Sequence, residues 1–323
     1  MPVDIILYHV AVLGISLLLA QSLNEVWKAG MFSFGHHGFA AIGAYTAAGF
    51  LIIILGRTPV WEMKSLQNRL DGLILTLLSI TIAMVITGLV GWVSYHLFHR
   101  LKGDYLAVGT LVLAEITLNI LSNLRITGGG LGFEIPYLFV QNTFVEKRWY
   151  LLIFSTAIVS LNIFLFYFYS ALERSVLGAQ IVGILSDETT AKAIGIDVKQ
   201  VQALAFAAAA AVAGAAGGIF LHFMTIVTPS DFSFLNGLPI ILYVVVGGYN
   251  SSRCVAATII IYSLYELIKL RFLGLFGDSL GQLLFIWKEG AYAFIILGYI
   301  ASQPYLDALK RLCNRWLRPT EES

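Results

Sequence analysis

The sequence predicts an all-α protein, a polytopic transmembrane helical bundle of about eight or nine spans. Of its 323 residues, 58% are hydrophobic and only 12% are charged, about half the charged fraction of a typical soluble domain. Mean hydropathy is +0.82. The apolar residues also fall in long blocks, not in the short alternating strands of a membrane barrel.

A helix needs about 20 mostly apolar residues to cross a bilayer. The first block, Ile5–Leu23, has no basic segment before it and reads as a true first span, not a cleaved leader. Five more blocks follow: Phe39–Leu55, Leu73–Phe98, Tyr105–Leu121, Tyr150–Tyr169 and Val201–Phe223. Three less regular segments come last, Leu238–Val246, Val255–Ile268 and Leu280–Ile300. Leu238–Val246 is too short to cross alone and reads as a broken or re-entrant helix, which survives in a membrane only against protein or a wet cavity. The tail carries Lys310, Arg311, Arg315 and Arg318, which assigns it to the cytoplasm. With nine crossings the N-terminus then lies outside, and the long polar loop between Ala171 and Gln200 lies inside. Elsewhere basic residues are split almost evenly between the two sides, so the orientation rests mostly on the tail.

Several function classes recede at this stage. A net charge of +1 gives no basic surface for nucleic acid. Cys254 and Cys313 are too few and too far apart for a disulfide framework or a metal site. The Gly-rich stretch Arg125–Pro136, "RITGGGLGFEIP", lacks the Lys and Ser/Thr that complete a phosphate-binding loop. It reads as a shaped loop at the outer mouth.

Four features carry more information. "SDETTAKAIG", Ser186–Gly195, has the marks of a short helix capped at both ends. Ser186 is placed to cap its start, Asp187 and Glu188 to complement the dipole, and Gly195 to end it in a left-handed turn. "SFGHHGFAAIGAY" sets His36 and His37 among Gly35, Gly38 and Gly43. Neighbouring residues on a helix point about 100° apart, so the two histidines make a poor metal chelate. The segment reads either as a helix entry able to hold an anionic group or as a tight loop packed under a neighbour. His36 and His37 also have no carboxylate near them in sequence. Glu115 lies within the fourth block, with Asn119 one turn on. A charge there lines a path or a subunit contact, or makes a structural hydrogen bond. Finally, "VQALAFAAAAAVAGAAGGIF" reads as a close-packed span, with Gly214, Gly217 and Gly218 on its inner face.

Taken in order, "SFGHHGFAAIGAY", "LKGDYLAVGTLVLAEI", "TGGGLGF", "LGAQIVGILSDETTAKAIGIDV", "ALAFAAAAAVAGAAGGIF", "PSDFSF" and "VVVGG" closely resemble the permease subunits of branched-chain amino acid ABC importers, the LivH/LivM family and its LivM type in particular. The resemblance runs from about Phe32 to about Gly248. The "GYNSSRCVAATIIIY" stretch beyond departs from it, where such permeases tend to continue with glycines.

The resemblance implies a single permease domain over 1–323, with a cytoplasmic coupling loop at 171–200 and a basic cytoplasmic tail at 304–323. It implies a non-catalytic, multi-pass subunit of the bacterial cytoplasmic (inner) membrane that translocates leucine, isoleucine and valine by alternating access. No cofactor would be bound by this chain, ATP and Mg being used by two partner ATPases. A related or identical permease and an extracytoplasmic substrate-binding protein would complete the assembly. Ser186, Asp187, Glu188, Thr190, Ala191 and Gly195 would couple to the ATPase; Ala191 and Gly195 keep the spacing of the family's Glu-Ala-Ala, three residues, Gly pattern, with the acid displaced to Glu188. Ser33, Gly35, His36, His37, Gly38, Glu115, Thr127, Gly128 and Gly129 are the candidates for the substrate path. Related importers carry urea, other amides or nucleosides. An ion-coupled secondary transporter is the rival class, and it would rest on Glu115.

Overall fold

The computed structural model describes residues 3–55, 69–101, 103–124, 128–135, 147–248 and 251–276. The chain comprises two compact units, Met1–Tyr262 and Ser263–Ser323. The predicted span Leu280–Ile300 and the 304–323 tail lie outside the described residues, and the first unit is the one described below.

Ten helices are found among the described residues: α1 (Val3–Lys28), α2 (His36–Leu55), α3 (Arg69–Phe98), α4 (Asp104–Asn123), α5 (Lys147–Glu173), α6 (Val176–Ser186), α7 (Glu188–Ala193), α8 (Val198–Met224), α9 (Phe234–Gly247) and α10 (Ser251–Phe276), which runs on past the unit boundary. Among the described residues, seven helical stretches are long and apolar enough to cross a membrane: those of α1–α5, α8 and Pro229–Gly247. The protein is a multi-pass membrane protein. The short Leu238–Val246 block belongs to the last of these stretches. A 3₁₀ turn at Pro229–Phe232 leads into α9, and Pro239 sits inside α9 itself.

α8 is the central post, and its composition explains why. A Cβ on Gly217 would overlap the carbonyl oxygen of Ala40, and one on Gly43 would overlap the backbone of Gly214. α2 therefore crosses α8 backbone to backbone. On another side a Cβ on Gly214 would strike the Thr87 side chain, and a Cβ on Gly88 would lie 3.1 Å from the Ala211 Cβ. Lipid offers no hydrophobic drive between helices, so this close approach and its dispersion contacts hold the bundle together. α1 joins through Ser22, whose hydroxyl donates to the Ala209 carbonyl at 2.7 Å, and through Gln202, whose amide donates to the Ala29 carbonyl at 3.1 Å. α1 and α5 meet where the Asn162 amide donates to the Gly14 carbonyl at 3.0 Å.

At the C-terminal end of α8 the chain turns through Thr225 in the left-handed region (φ +63°). A two-residue ladder follows, β1 (Phe133–Glu134) pairing antiparallel with β2 (Ile226–Val227). The "TGGGLGFEIP" segment thus includes a 3₁₀ turn at Gly129–Leu131 and a short strand. Gly132 (φ +75°) has no room for a side chain against the Val227 carbonyl.

Candidate functional site

Two regions gather the residues that the sequence singled out. The first is the connection between α5 and α8. α6 starts at Ser175, whose hydroxyl accepts from the Gly178 amide at 3.3 Å. It ends at Ser186, whose hydroxyl turns back to the Val182 carbonyl at 2.9 Å. Ser186 therefore does not cap the next helix, as the sequence reading had it. Asp187 does: its Oδ1 accepts from the Thr189 amide at 2.8 Å and its Oδ2 from the Thr190 hydroxyl at 2.6 Å. Both residues are good caps. α6 reaches far enough to absorb Ser186, and the extended conformation needed at a cap falls to Asp187 (φ −160°, ψ 107°). The Thr190 hydroxyl, and after it the Thr189 and Thr190 amides, hold the Asp187 carboxyl below the ordinary carboxylate range.

α7 is six residues long, too short to persist in isolation. An i,i+4 pair, Lys192 Nζ to Glu188 Oε1 at 2.5 Å, staples its outer face. On its inner face Ala191 is buried with Ile184, Val198 and Val201. Past the end, the Ile196 amide bonds the Ala191 carbonyl and the Gly195 amide bonds the Lys192 carbonyl, with Gly195 at φ +88°. This is the paired closure for which a left-handed glycine is suited. α7 is thus pre-formed and fastened to both α6 and α8. Beneath α6 lies a cavity of about 220 Å³ lined by Glu25, Lys28, Glu173 and apolar residues of α6. There Lys28 pairs with Glu25 at 2.7 Å and with Glu173, tying the end of α1 to the end of α5.

The second region surrounds the start of α2. The Phe34 amide donates to the Thr110 hydroxyl at 3.0 Å, and the Gly35 amide to the Ser33 hydroxyl at 3.4 Å. A Cβ on Gly35 would press into the Thr110 carbonyl, and one on Gly38 would lie 2.6 Å from the Ala114 Cβ. Both glycines therefore serve the approach of α2 to α4. His36 and His37 are buried. Neither ring nitrogen of His36 has a hydrogen-bond partner among the described residues. The His37 ring lies edge-on to Phe234, centroids 6.0 Å apart, and its Nε2 points to Glu115, 3.8 Å from Oε1. A carboxylate does stand near the histidines, contrary to the expectation from sequence; it comes from α4, 78 positions on. Among the described residues no three His, Cys, Asp or Glu side chains converge on one point.

The model of the family described as "Branched-chain amino acid transport system / permease component" matches residues 5–279, a stretch that takes in nearly every described helix and the whole α6–α7 connection. The chain belongs to this permease family. Among curated proteins, it is 29% identical over 277 residues to the high-affinity branched-chain amino acid transport system permease protein LivM of Escherichia coli strain K12, covering 77% of this chain and 60% of that protein. It is 28% identical, with the same coverage, to the protein of that name in Salmonella typhimurium. To the probable branched-chain amino acid transport permease protein LivM of Methanocaldococcus jannaschii it is 24% identical over 290 residues, covering 83% of this chain and 82% of the relative. The chain thus spans about 60% of the length of the two bacterial relatives. No solved structure matches it.

The fold brings Ser33, Gly35, His37, Gly38 and Glu115 into one neighbourhood, around Thr110 and Ala114 of α4. Gly128 and Gly129 stand apart from it, in the turn after α4, where the Gly129 amide bonds the Leu124 carbonyl. Thr127 lies outside the described residues. Sequence reasoning missed Thr110 as the ligand of the α2 loop, and it missed the Glu25–Lys28–Glu173 group. The i,i+3 spacing of Glu25 and Lys28 was the available signal for the latter.

Proposed function

We propose that the chain is a non-catalytic permease subunit of an ATP-binding-cassette importer for branched-chain amino acids in the cytoplasmic membrane. It pairs with a related or identical permease, with two cytoplasmic ATPases and with an extracytoplasmic binding protein. One observation carries this reading: α7 is a short helix capped at both ends and seated through Ala191 on α6 and α8, within a chain matched to the permease family over residues 5–279. A lever must already be rigid if closure of the ATPases is to reach the membrane helices. Fastened to α8 at its base, α7 would pass its displacement to the helix around which the others pack. ATP and Mg then act only on the partner ATPases, and this chain supplies the path.

The test is purification in mild detergent with mass-spectrometric identification of co-purifying chains, followed by uptake in proteoliposomes. Two ATPases, a second permease and leucine uptake that stops with an ATPase-inactive partner are expected. Leucine uptake by the chain without any ATPase overturns the reading. An ion-coupled carrier is the second reading, supported by the mid-span Glu115 beside His37. It requires uptake to collapse with a protonophore while ATP is held constant.

A further inference from the structure

Half of α4 carries a file of polar side chains that hydrocarbon would not tolerate. Glu115, Asn119, Ser122 and Asn123 stand at i, i+4, i+7 and i+8 and so share a face. The buried face is a different one, formed by Leu106, Ala107, Thr110, Ala114 and Leu118. Asn119 and Asn123 are exposed, and the Glu115 side chain is 44% exposed. Each amide donates to its own helix, Asn119 to the Glu115 carbonyl at 2.8 Å and Asn123 to the Asn119 carbonyl at 2.7 Å. Their remaining polar atoms stay available on the surface. The file runs from the Gly129 turn to the middle of the span; beyond Glu115 the next exposed positions toward the N-terminal end are the apolar Val112 and Val108, with Tyr105 and the charged Asp104 exposed at the helix start.

At the inner end of the file two groups converge. Glu115 approaches from the exposed side. His37 approaches from the core, its side chain 4% exposed, and its Nε2 has no hydrogen-bond partner among the described residues. They stand 3.8 Å apart, beyond hydrogen-bond length. A buried, unpaired nitrogen and a half-exposed carboxylate 3.8 Å away are two acceptors that one donor arriving from the Glu115 side could bridge.

We propose that this file walls an aqueous path open at the C-terminal end of α4, and that Glu115 and His37 at its floor receive the α-ammonium group of a zwitterionic amino acid. An ammonium offers three donors and a positive charge. Glu115 supplies the counter-charge and a neutral His37 Nε2 a second acceptor, while the Asn119 and Asn123 amides solvate the rest of the polar head. Neutral urea, amides and nucleosides gain no charge pairing here, so the site selects among the substrates that such importers carry. This inference rests on the importer reading above.

The test places single cysteines at Glu115, Asn119 and Asn123, and at Ile116 and Ile120 as lipid-facing controls, in a Cys313→Ser background of the assembled complex in membranes. A membrane-impermeant cationic methanethiosulfonate reagent should label positions 119 and 123 about tenfold faster than 116 and 120, and leucine should slow it. With Glu115 in place the cationic reagent should also outpace an anionic one at position 119, and Glu115→Gln should abolish that preference. In the reconstituted complex Glu115→Gln should lower leucine uptake about tenfold, and by more than it lowers ATP hydrolysis, while Glu115→Asp restores part. Labelling at 119 and 123 no faster than at 116 and 120 overturns the proposal. So does a Glu115→Gln variant that transports normally, or one that simply loses its sister permease. Uptake that persists with ATPase-inactive partners sinks the importer reading instead, and leaves the labelling pattern to judge the path alone.

Discussion

α8 and α4 are both apolar helices long enough to span, yet they are built on opposite principles. In α8, 56% of the most apolar window is buried, against 28% in α4. At Gly217 α8 meets α2 backbone to backbone, and α2's Gly43 meets its Gly214 in the same way, while Phe206, Phe220 and Phe223 add ring contacts to neighbouring elements. α4 gives one face to the protein and leaves polar side chains on another. The first arrangement leaves no room for a side chain at Gly214 or Gly217. The second has room and chemistry, and it contributes less to cohesion. Cohesion thus rests on α8 more than on α4, and the polar face that the path proposed above would need is on α4.

The harshest way to break this contrast is to add bulk to α8. Gly217→Leu should force α2 and α8 apart at Ala40, at a cost of about 3 kcal/mol or more, and leave almost no monodisperse protein in fluorescence-detected size exclusion. The same experiment on α4 with Asn119→Leu should leave the yield near that of the parent. If both variants behave alike, the division of labour is wrong. Next in size is α7, the proposed lever. Ala191→Glu puts a charge into the Ile184–Val198–Val201 cluster, and Gly195→Pro forbids the positive φ that closes α7. Either should cut leucine uptake at least about tenfold while the permease still folds and assembles, because the lever fails and not the bundle. Normal uptake in either variant removes α7 from the coupling role.

A smaller effect is expected at the joint beneath α6. Lys28→Met takes the cation away from the buried Glu25 and should lower the unfolding midpoint, by about 3 kcal/mol of stability. Glu173→Gln should cost much less, since the Glu173 side chain is 45% exposed. Equal midpoints would remove the ion pair from the account. The smallest effect is the cap. Asp187→Asn keeps an acceptor and should leave hydrogen exchange at Thr189 and Thr190 nearly unchanged, whereas Asp187→Ala should speed it several-fold. The Asp187 carboxyl is held below its ordinary range, so the charged cap stabilises α7 throughout neutral pH. That contribution is present above the unfolded-state carboxylate range and is lost as pH falls through the depressed folded value. Protection factors at Thr189 and Thr190 that stay constant as pH falls into that acidic range would contradict it.

The sequence made the bundle legible because lipid imposes a crude rule. Twenty apolar residues announce a span, and small residues in a row announce close packing. Gly195 was readable as a left-handed stop, since a turn needing positive φ selects glycine. What stayed hidden was pairing at a distance. Nothing near His37 in sequence points to Glu115, and the strand Phe133–Glu134 finds Ile226–Val227 only after four intervening helices. Adjacent residues able to do the same job were a second source of error. Ser186 and Asp187 can both cap, and the length of α6 decided between them.

The crossings of α2 bear on how the molecule can move. α2 touches α8 through Gly43 and Gly217 and touches α4 through Gly35 and Gly38, each contact set against backbone or a methyl group. Side chains can absorb a displacement by changing rotamer; contacts of this kind have none to change. A push delivered at one end is therefore not dissipated along the way. At these crossings α2 has little freedom to slide against α4 or α8.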